Sequence, residues 1–329
     1  MTNAMRFSFL FCSFVVGCSY ITSQAEAEIS LFPNAEQVEA LPEQWYTGTL
    51  FAPSPALTDA DSYTIEPYVS VNVPKGAYNS SGTLKKNHAQ TSVSQFTASY
   101  YGITDQLTLY ASPAYSYSWG DHSPHSGVKF NDLPVELQYR LTSHETPSVT
   151  VYLGFDAPLG SYSNLGNANE GVGTGVWDLR YGVQAQVVYP FFQRVMRIRM
   201  WAAATQPLSS VRLRNISSYG TETGFKGRGY SAQTGNEGFS LEFGLTKRWV
   251  FALDLYHEWS ASSEVKGIYR QTKERYYSRT GWSGLFNVGP ALEYGWSPDI
   301  GAIAGVILPV AGHNASRDVQ AQCAVFVSF

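Results

Sequence analysis

Phe239-Ser240-Leu241-Glu242-Phe243-Gly244-Leu245-Thr246-Lys247-Arg248-Trp249-Val250-Phe251-Ala252-Leu253-Asp254-Leu255-Tyr256 is the stretch that decides how this chain is read. Phe239, Leu241, Phe243 and Leu245 fall on one face, Ser240, Glu242 and Gly244 on the other. After the spacer Lys247-Arg248, Trp249, Phe251, Leu253 and Leu255 alternate with Val250, Ala252, Asp254 and Tyr256. Period two marks a strand with two unlike faces. Two such strands joined by a tight turn make an antiparallel pair.

Working outward, twelve blocks of this texture run approximately 62–73, 90–101, 107–119, 132–142, 148–157, 176–189, 195–205, 237–246, 249–259, 284–296, 300–310 and 318–329. From the first strand onward, the spacers alternate long and short to the end. Short ones include Gly102 to Gln106, Ser143 to Pro147, Pro190 to Arg194, Lys247-Arg248 and Ser297-Pro298-Asp299; long ones include Pro158 to Gly175, Gln206 to Asn236 and Ser260 to Ser283. A soluble sandwich has no reason to gather its long connections at one end. A transmembrane barrel does, and no backbone edge can face lipid unsatisfied, so its sheet must close. The expectation is an all-β chain: a closed antiparallel transmembrane β-barrel of about twelve strands over 62–329, with long extracellular loops and short periplasmic turns.

The other strands agree. Val319, Ala321, Cys323, Val325 and Val327 alternate with Asp318, Gln320, Gln322 and Ser328, and Leu133, Val135, Leu137, Tyr139 and Leu141 with Glu136, Gln138 and Arg140. A charge on the lipid face costs roughly 2–4 kcal/mol at mid-bilayer, and these charges avoid that face. Tyr117, Trp119, Trp177, Tyr189, Trp249, Trp259 and Trp296 sit near strand ends, where interfacial girdles belong. Leu253 and Val325 should face lipid, Asp254 and Gln322 the lumen. Phe329 closes the last strand and resembles the assembly signal of bacterial outer-membrane barrels, which implies the barrel assembly machinery as a partner.

Composition fits the same reading. Charged residues make up 15% of the 329, against roughly 25% in soluble domains, and there are 22 tyrosines and 29 glycines. A mean hydropathy of -0.17 is too polar for a bundle of membrane helices. Aromatic and β-branched content excludes disorder. A net charge of -4 gives no reason for a nucleic-acid partner. The expected location is the bacterial outer membrane, among lipid and lipopolysaccharide.

A basic Met1 to Arg6, an apolar Phe7 to Gly17 and a closing Ala25-Glu26-Ala27 read as a signal peptide over 1–27. Val15-Val16-Gly17-Cys18 resembles a lipoprotein box, so processing at Cys18 is the competing expectation. Cleavage after Ala27 leaves Cys323 alone and supports no disulfide framework. Residues 28–61, rich in proline and acid, are expected on the periplasmic side or inside the lumen, with a short helical turn from Asn34 to Leu41. They are too few for a folded passenger, which disfavours an autotransporter translocator.

Several motifs taken in order resemble the outer-membrane family named for the meta-pathway of phenol degradation. They are Trp45-Tyr46-Thr47-Gly48, Tyr101-Gly102-Ile103-Thr104-Asp105, Asp132-Leu133-Pro134, Ala157-Pro158-Leu159-Gly160, and Gly171 through Gly175 with Val176-Trp177-Asp178-Leu179. Leu159 stands where that pattern has threonine. The resemblance implies a transporter-like barrel and carries over no functional residues.

Chemistry has little to stand on. None of His88, His122, His125, His144, His257 and His313 forms a zinc-protease motif, and none sits two residues before a strand serine. Asp121, His122 and His125 could hold a metal, but solvated loop histidines are the simpler reading. No metal, cofactor or enzyme activity is expected. Gly171, Gly173 and Gly175 precede no helix, so they serve loop folding rather than phosphate binding.

By parity the lumen receives Glu66, Glu136, Arg140, Asp156, Asp178, Arg180, Arg197, Arg199, Glu242, Asp254, Glu258 and Glu293. These charges either pair across strands and fill the interior or line a polar channel; twelve strands lie between filled and open barrels. Strand seven stands opposite strand one, so Arg197 and Arg199 are expected to face Glu66 across the opening, with weak cation preference. The long loops carry Arg212, Arg214, Lys226 and Arg228, then Lys266, Arg270, Lys273, Arg275 and Arg279. Such a rim draws anionic solutes or matches the anionic head groups around it, the second being simpler. The function expected is a channel or transporter for small-molecule solutes, aromatic or amphipathic compounds among them. The alternative is a structural or surface-interaction barrel with a filled lumen.

Overall fold

The computed structural model describes residues 41–86, 89–120, 125–143 and 145–329. The signal peptide, the lipoprotein box, the turn expected from Asn34, and Asp121, His88, His122 and His144 lie outside the described residues. In chain order the strands are β1 (Tyr63–Tyr78), β2 (Leu84–Lys85), β3 (Thr91–Thr104), β4 (Leu107–Ala111), β5 (Ala114–Trp119), β6 (Lys129–Phe130), β7 (Leu133–Arg140) and β8 (Ser148–Ala157). Then follow β9 (Asp178–Phe191), β10 (Arg194–Pro207), β11 (Val211–Arg214), β12 (Phe225–Tyr230), β13 (Thr234–Gly244) and β14 (Trp249–Ser260). The last are β15 (Glu264–Tyr269), β16 (Arg275–Arg279), β17 (Ser283–Gly295), β18 (Ile300–His313) and β19 (Ala315–Ser328).

Thirteen of these runs close into one antiparallel ring of twelve strands, β4 and β5 together making one of them. From β1 it passes through β3, the paired pieces β4 and β5, β7, β8, β9, β10, β13, β14, β17, β18 and β19, and β19 returns to β1. The seam runs from Thr64 opposite Ser328 to Tyr78 opposite Ala315. At its foot the Tyr63 and Phe329 backbones exchange hydrogen bonds of 2.8 and 2.9 Å.

The surface is inverted relative to a soluble protein. Leu137, Leu153 and Leu292 are about half exposed while Glu242, Asp254 and Glu293 are fully buried. An apolar belt around a charged interior is stable only with lipid outside. The chain is a bacterial outer-membrane barrel. Val325 is exposed and Gln322 buried on the last strand, as their parity requires.

Three details differ from the sequence reading. The third strand is broken into β4 and β5 because Pro113 has no N–H to give the ladder. The outer connection after β18 is a tight turn at Asn314, φ 49°, which lets β18 and β19 run to its edge. Finally, the two longest outer connections are not irregular. They form a second sheet, β11-β12-β15-β16, whose lateral order repeats that of β10-β13-β14-β17 beneath it. Val211, Leu213, Phe225 and Val265 form its buried core with Val176. Gly175, at φ +72°, turns the preceding loop against the Tyr162 ring, where a Cβ would stand 2.6 Å from it.

Candidate functional site in the barrel lumen

The lumen is organised by the segment that precedes β1. Trp45 N–H donates to the Lys247 carbonyl at 3.0 Å, in the short turn between β13 and β14. Lys247 Nζ lies 4.5 Å from the centre of the Trp45 ring. The chain then enters the barrel. Thr47 N–H and Oγ1 donate to Glu293 Oε2 at 2.7 and 3.2 Å. Gly48 turns at φ +99°, a conformation that glycine takes without strain. Thr49 Oγ1 accepts from Ala52 N–H at 2.9 Å, making a local turn around Leu50 and Phe51.

Beyond that apex the segment crosses to the other wall. Phe51 N–H donates to Asp254 Oδ2 at 3.0 Å, and Gln322 Nε2 donates to the Leu50 carbonyl at 2.8 Å. The Ala52, Ser54, Pro55 and Ala56 carbonyls accept from Arg199, Gln184, Thr150 and Arg140 in turn, at 3.3, 3.4, 2.7 and 2.9 Å. It leaves at the foot of β3, where Asp61 N–H donates to the Gly102 carbonyl at 2.8 Å. Backbone groups buried away from water need partners, and here the inward polar side chains of the wall supply them.

The charged positions read from parity fall into three groups. The first surrounds the plug. Arg197 donates from Nε to Glu242 Oε2 at 2.6 Å and from its terminal nitrogen to Glu242 Oε1, while Arg199 Nε lies 3.3 Å from Glu242 Oε2. The Arg197 guanidinium also covers the Tyr46 ring at 3.9 Å. Arg197 and Arg199 lie within electrostatic reach of Glu66 on β1, but their ion pairs are made with Glu242, which sits beside Arg197 on the hydrogen-bonded neighbour β13. Glu66 instead accepts from Tyr68 at 3.1 Å. Glu293 and Asp254 bind the segment, and Arg140 bonds the Ala56 and Asp105 carbonyls.

A second group lies toward the long-loop end. Arg180 bridges Glu136 at 2.8 Å and Asp156 at 3.1 Å, and Asp178 accepts from Thr174 Oγ1 at 3.1 Å. Glu258 accepts from Asn287 on the neighbouring strand β17 at 2.9 Å. The third group is the set of basic residues on the second sheet and its connections. Arg212, Arg214, Lys226, Arg228, Lys266, Arg270, Lys273, Arg275 and Arg279 are all exposed. Lys266 donates to Glu264 and holds that carboxyl below the usual range.

Charge parity did not reveal the aromatic layer between these groups. Phe51, Trp201 and Tyr256 meet at the apex of the segment, and Tyr68 stacks on Phe96 with centroids 4.5 Å apart. Tyr100 and Tyr110 continue it at 5.0 Å. The signal was present in inward parity: Phe96, Ala98 and Tyr100 share a face, as do Ala252, Asp254 and Tyr256. No group of three or more histidine, cysteine or acidic side chains arranged to hold a metal occurs among the described residues.

No family model matches the chain, and no curated protein does. Among solved structures it is similar to an outer membrane channel from Pseudomonas putida F1, with a TM-score of 0.60 and 14% identity over 85% of this chain and 100% of that one. It is also similar to the translocator domain of the autotransporter NalP from Neisseria meningitidis, with a TM-score of 0.46 and 11% identity over 83% of this chain and 90% of that one. For the Pseudomonas putida toluene transporter TodX the TM-score is 0.43, with 12% identity over 87% and 95%. The first likeness supports the closed barrel; the other two are too distant to bear on it. The resemblance to the meta-pathway family rests on its short motifs.

Proposed function

We propose that this barrel is an outer-membrane channel for small amphipathic compounds that carry an aromatic ring, constricted by residues 44–60. The observation that carries the reading is the layer of inward aromatic rings, with Phe51 of the segment lying on Tyr256 of the wall at 3.9 Å. Sites for such molecules are apolar surfaces with a few placed polar groups. Here rings supply the surface, and Glu136, Asp156 and Arg180 supply the polar edge. The likeness to a solved outer membrane channel supports the reading at the level of the fold.

A second reading has its own observation. Wall side chains bond the segment at successive residues, so a permanently filled, structural barrel fits the same geometry. Conductance of the purified protein in a planar bilayer separates the two. The channel reading expects discrete open levels, interrupted when benzyl alcohol is added to one side. Silence at every voltage, in the native chain and in Phe51→Ala alike, overturns it and leaves the structural barrel.

A further inference from the structure

The second sheet has one buried face and one exposed face, and the charges of the exposed face are basic save for Glu264. Arg212 lies opposite Arg228, and Arg228 opposite Lys266, so three cations form a row across three strands. In the next row Arg214 lies opposite Lys226, and Arg275 follows beyond Ile268. Like charges placed directly opposite each other destabilise a sheet, and the register here repeats that arrangement rather than avoiding it. Glu264 is the one acid among the paired exposed positions, and it is taken by Lys266 at 2.6 Å and Arg279 at 3.7 Å. Arg212, Arg214, Lys226 and Arg275 have no carboxylate within ion-pair distance among the described residues.

Two further features narrow what such a face would hold. Strands stand about 4.8 Å apart and same-face residues about 7 Å apart along a strand, so the cations form a lattice suited to several closely spaced anionic groups. Tyr230 and Tyr277 are exposed on the same face, with Lys266 Nζ at 5.1 and 5.6 Å from their ring centres. Flat apolar rings beside cations suit sugar rings bearing phosphates. The sheet also continues the barrel wall: only residues 261–263 separate β14 from β15, and 280–282 separate β16 from β17. It therefore stands at the outer surface of the membrane.

We infer that the exposed face of β11-β12-β15-β16 binds the phosphorylated saccharide head groups of glycolipid in the outer leaflet. The inference does not depend on whether the lumen conducts. Charge-assisted bonds from arginine to phosphate are strong and geometrically selective. Filling the face with phosphate relieves the cross-strand repulsion, so the occupied sheet is better held than the bare one.

The test uses the full chain in detergent, with four probes: purified lipopolysaccharide, the same material dephosphorylated, inorganic polyphosphate and a single-stranded oligonucleotide. Lipopolysaccharide is expected to bind most tightly, and removal of its phosphates to weaken it about 10-fold or more, on the scale of lost charge-assisted bonds. The triple variant Arg212→Gln, Arg228→Gln, Lys266→Gln should lose binding to a similar extent, with an unfolding midpoint no lower than that of the native chain, because these side chains are exposed and lose their mutual repulsion. Arg212→Lys with Arg228→Lys keeps the charge and should retain most of the binding. Binding unaffected by the triple variant or by dephosphorylation overturns the inference. So does polyphosphate or the oligonucleotide binding as tightly as lipopolysaccharide, since the face would then serve soluble polyanions.

Discussion

The ring of Phe51 lies on that of Tyr256, centroids 3.9 Å apart and planes inclined by 10°. One belongs to the segment before the first strand and the other to β14, so this contact joins plug to wall at the level of the aromatic layer. A stacked pair is worth about 0.5–1.5 kcal/mol beyond its buried area. Phe51→Ala should therefore shift the balance between held and released segment by roughly 2- to 10-fold from the pair alone. The expected result in planar bilayers is a higher open probability with the barrel's unfolding midpoint little changed. An open probability equal to that of the native chain would show that the segment does not gate the lumen.

Glu242 is fully buried between Arg197 and Arg199. Removing one member of a buried charge group leaves the others uncompensated, a loss of about 3–5 kcal/mol. Glu242→Ala should lower the urea unfolding midpoint of the refolded barrel accordingly. Arg197→Met, Arg199→Met and Glu242→Leu together should recover part of that loss and no more. Arg199 also serves the Ala52 carbonyl and Arg197 the Tyr46 ring, and methionine replaces neither contact. A triple variant no more stable than Glu242→Ala would place the loss in packing rather than charge.

Leu253 and Asp254 show what the sequence made legible and what it did not. Their faces follow from period two alone, because a strand gives neighbours opposite directions. Ring closure follows from the same pattern, since lipid tolerates no open edge. What holds Asp254 does not follow. Its partner is the Phe51 backbone, 203 residues away in sequence, and Leu50 meets Gln322 across 272. No local pattern encodes such pairings. The second sheet was more accessible: Val211-Arg212-Leu213-Arg214 alternates as the barrel strands do, over only four residues. Parity placed Arg197 and Arg199 within electrostatic reach of Glu66, but it could not tell that their ion pairs go to Glu242 on the adjacent strand.

Burial of Asp254 changes the outcome of a thiol-labelling experiment. Parity alone would have a water-soluble reagent reach Asp254→Cys and miss Leu253→Cys. In the structure Asp254 is fully buried beneath Phe51. With exposed Cys323 first replaced by serine, Leu253→Cys and Val325→Cys should stay unlabelled in intact membranes. Asp254→Cys should label slowly, and faster once Phe51→Ala is added. Equal, rapid labelling at 253 and 254 would refute both the lipid face and the plug.

Gly301 and Gly244 offer the sharpest separation between a pinned contact and a yielding one. A Cβ on Gly301 would stand 1.9 Å from Thr47 Cγ2, and one on Gly244 would stand 2.0 Å from Gln44 Oε1. Thr47 cannot retreat by changing rotamer, because its Oγ1 and backbone N–H both bind Glu293 Oε2, and β-branched side chains are stiff at χ1. Gln44 meets its neighbour with the far end of a flexible side chain, whose further tie among the described residues is Nε2 to the Lys247 carbonyl at 2.9 Å. Gly301→Ala should therefore displace the segment and raise conductance, whereas Gly244→Ala should leave it near the native level. Neither change touches the lipid face, so both barrels should assemble and migrate as folded species. If Gly301→Ala conducts as the native chain does, the tie between Thr47 and Glu293 does not hold the segment in the lumen, and the constriction must be assigned elsewhere.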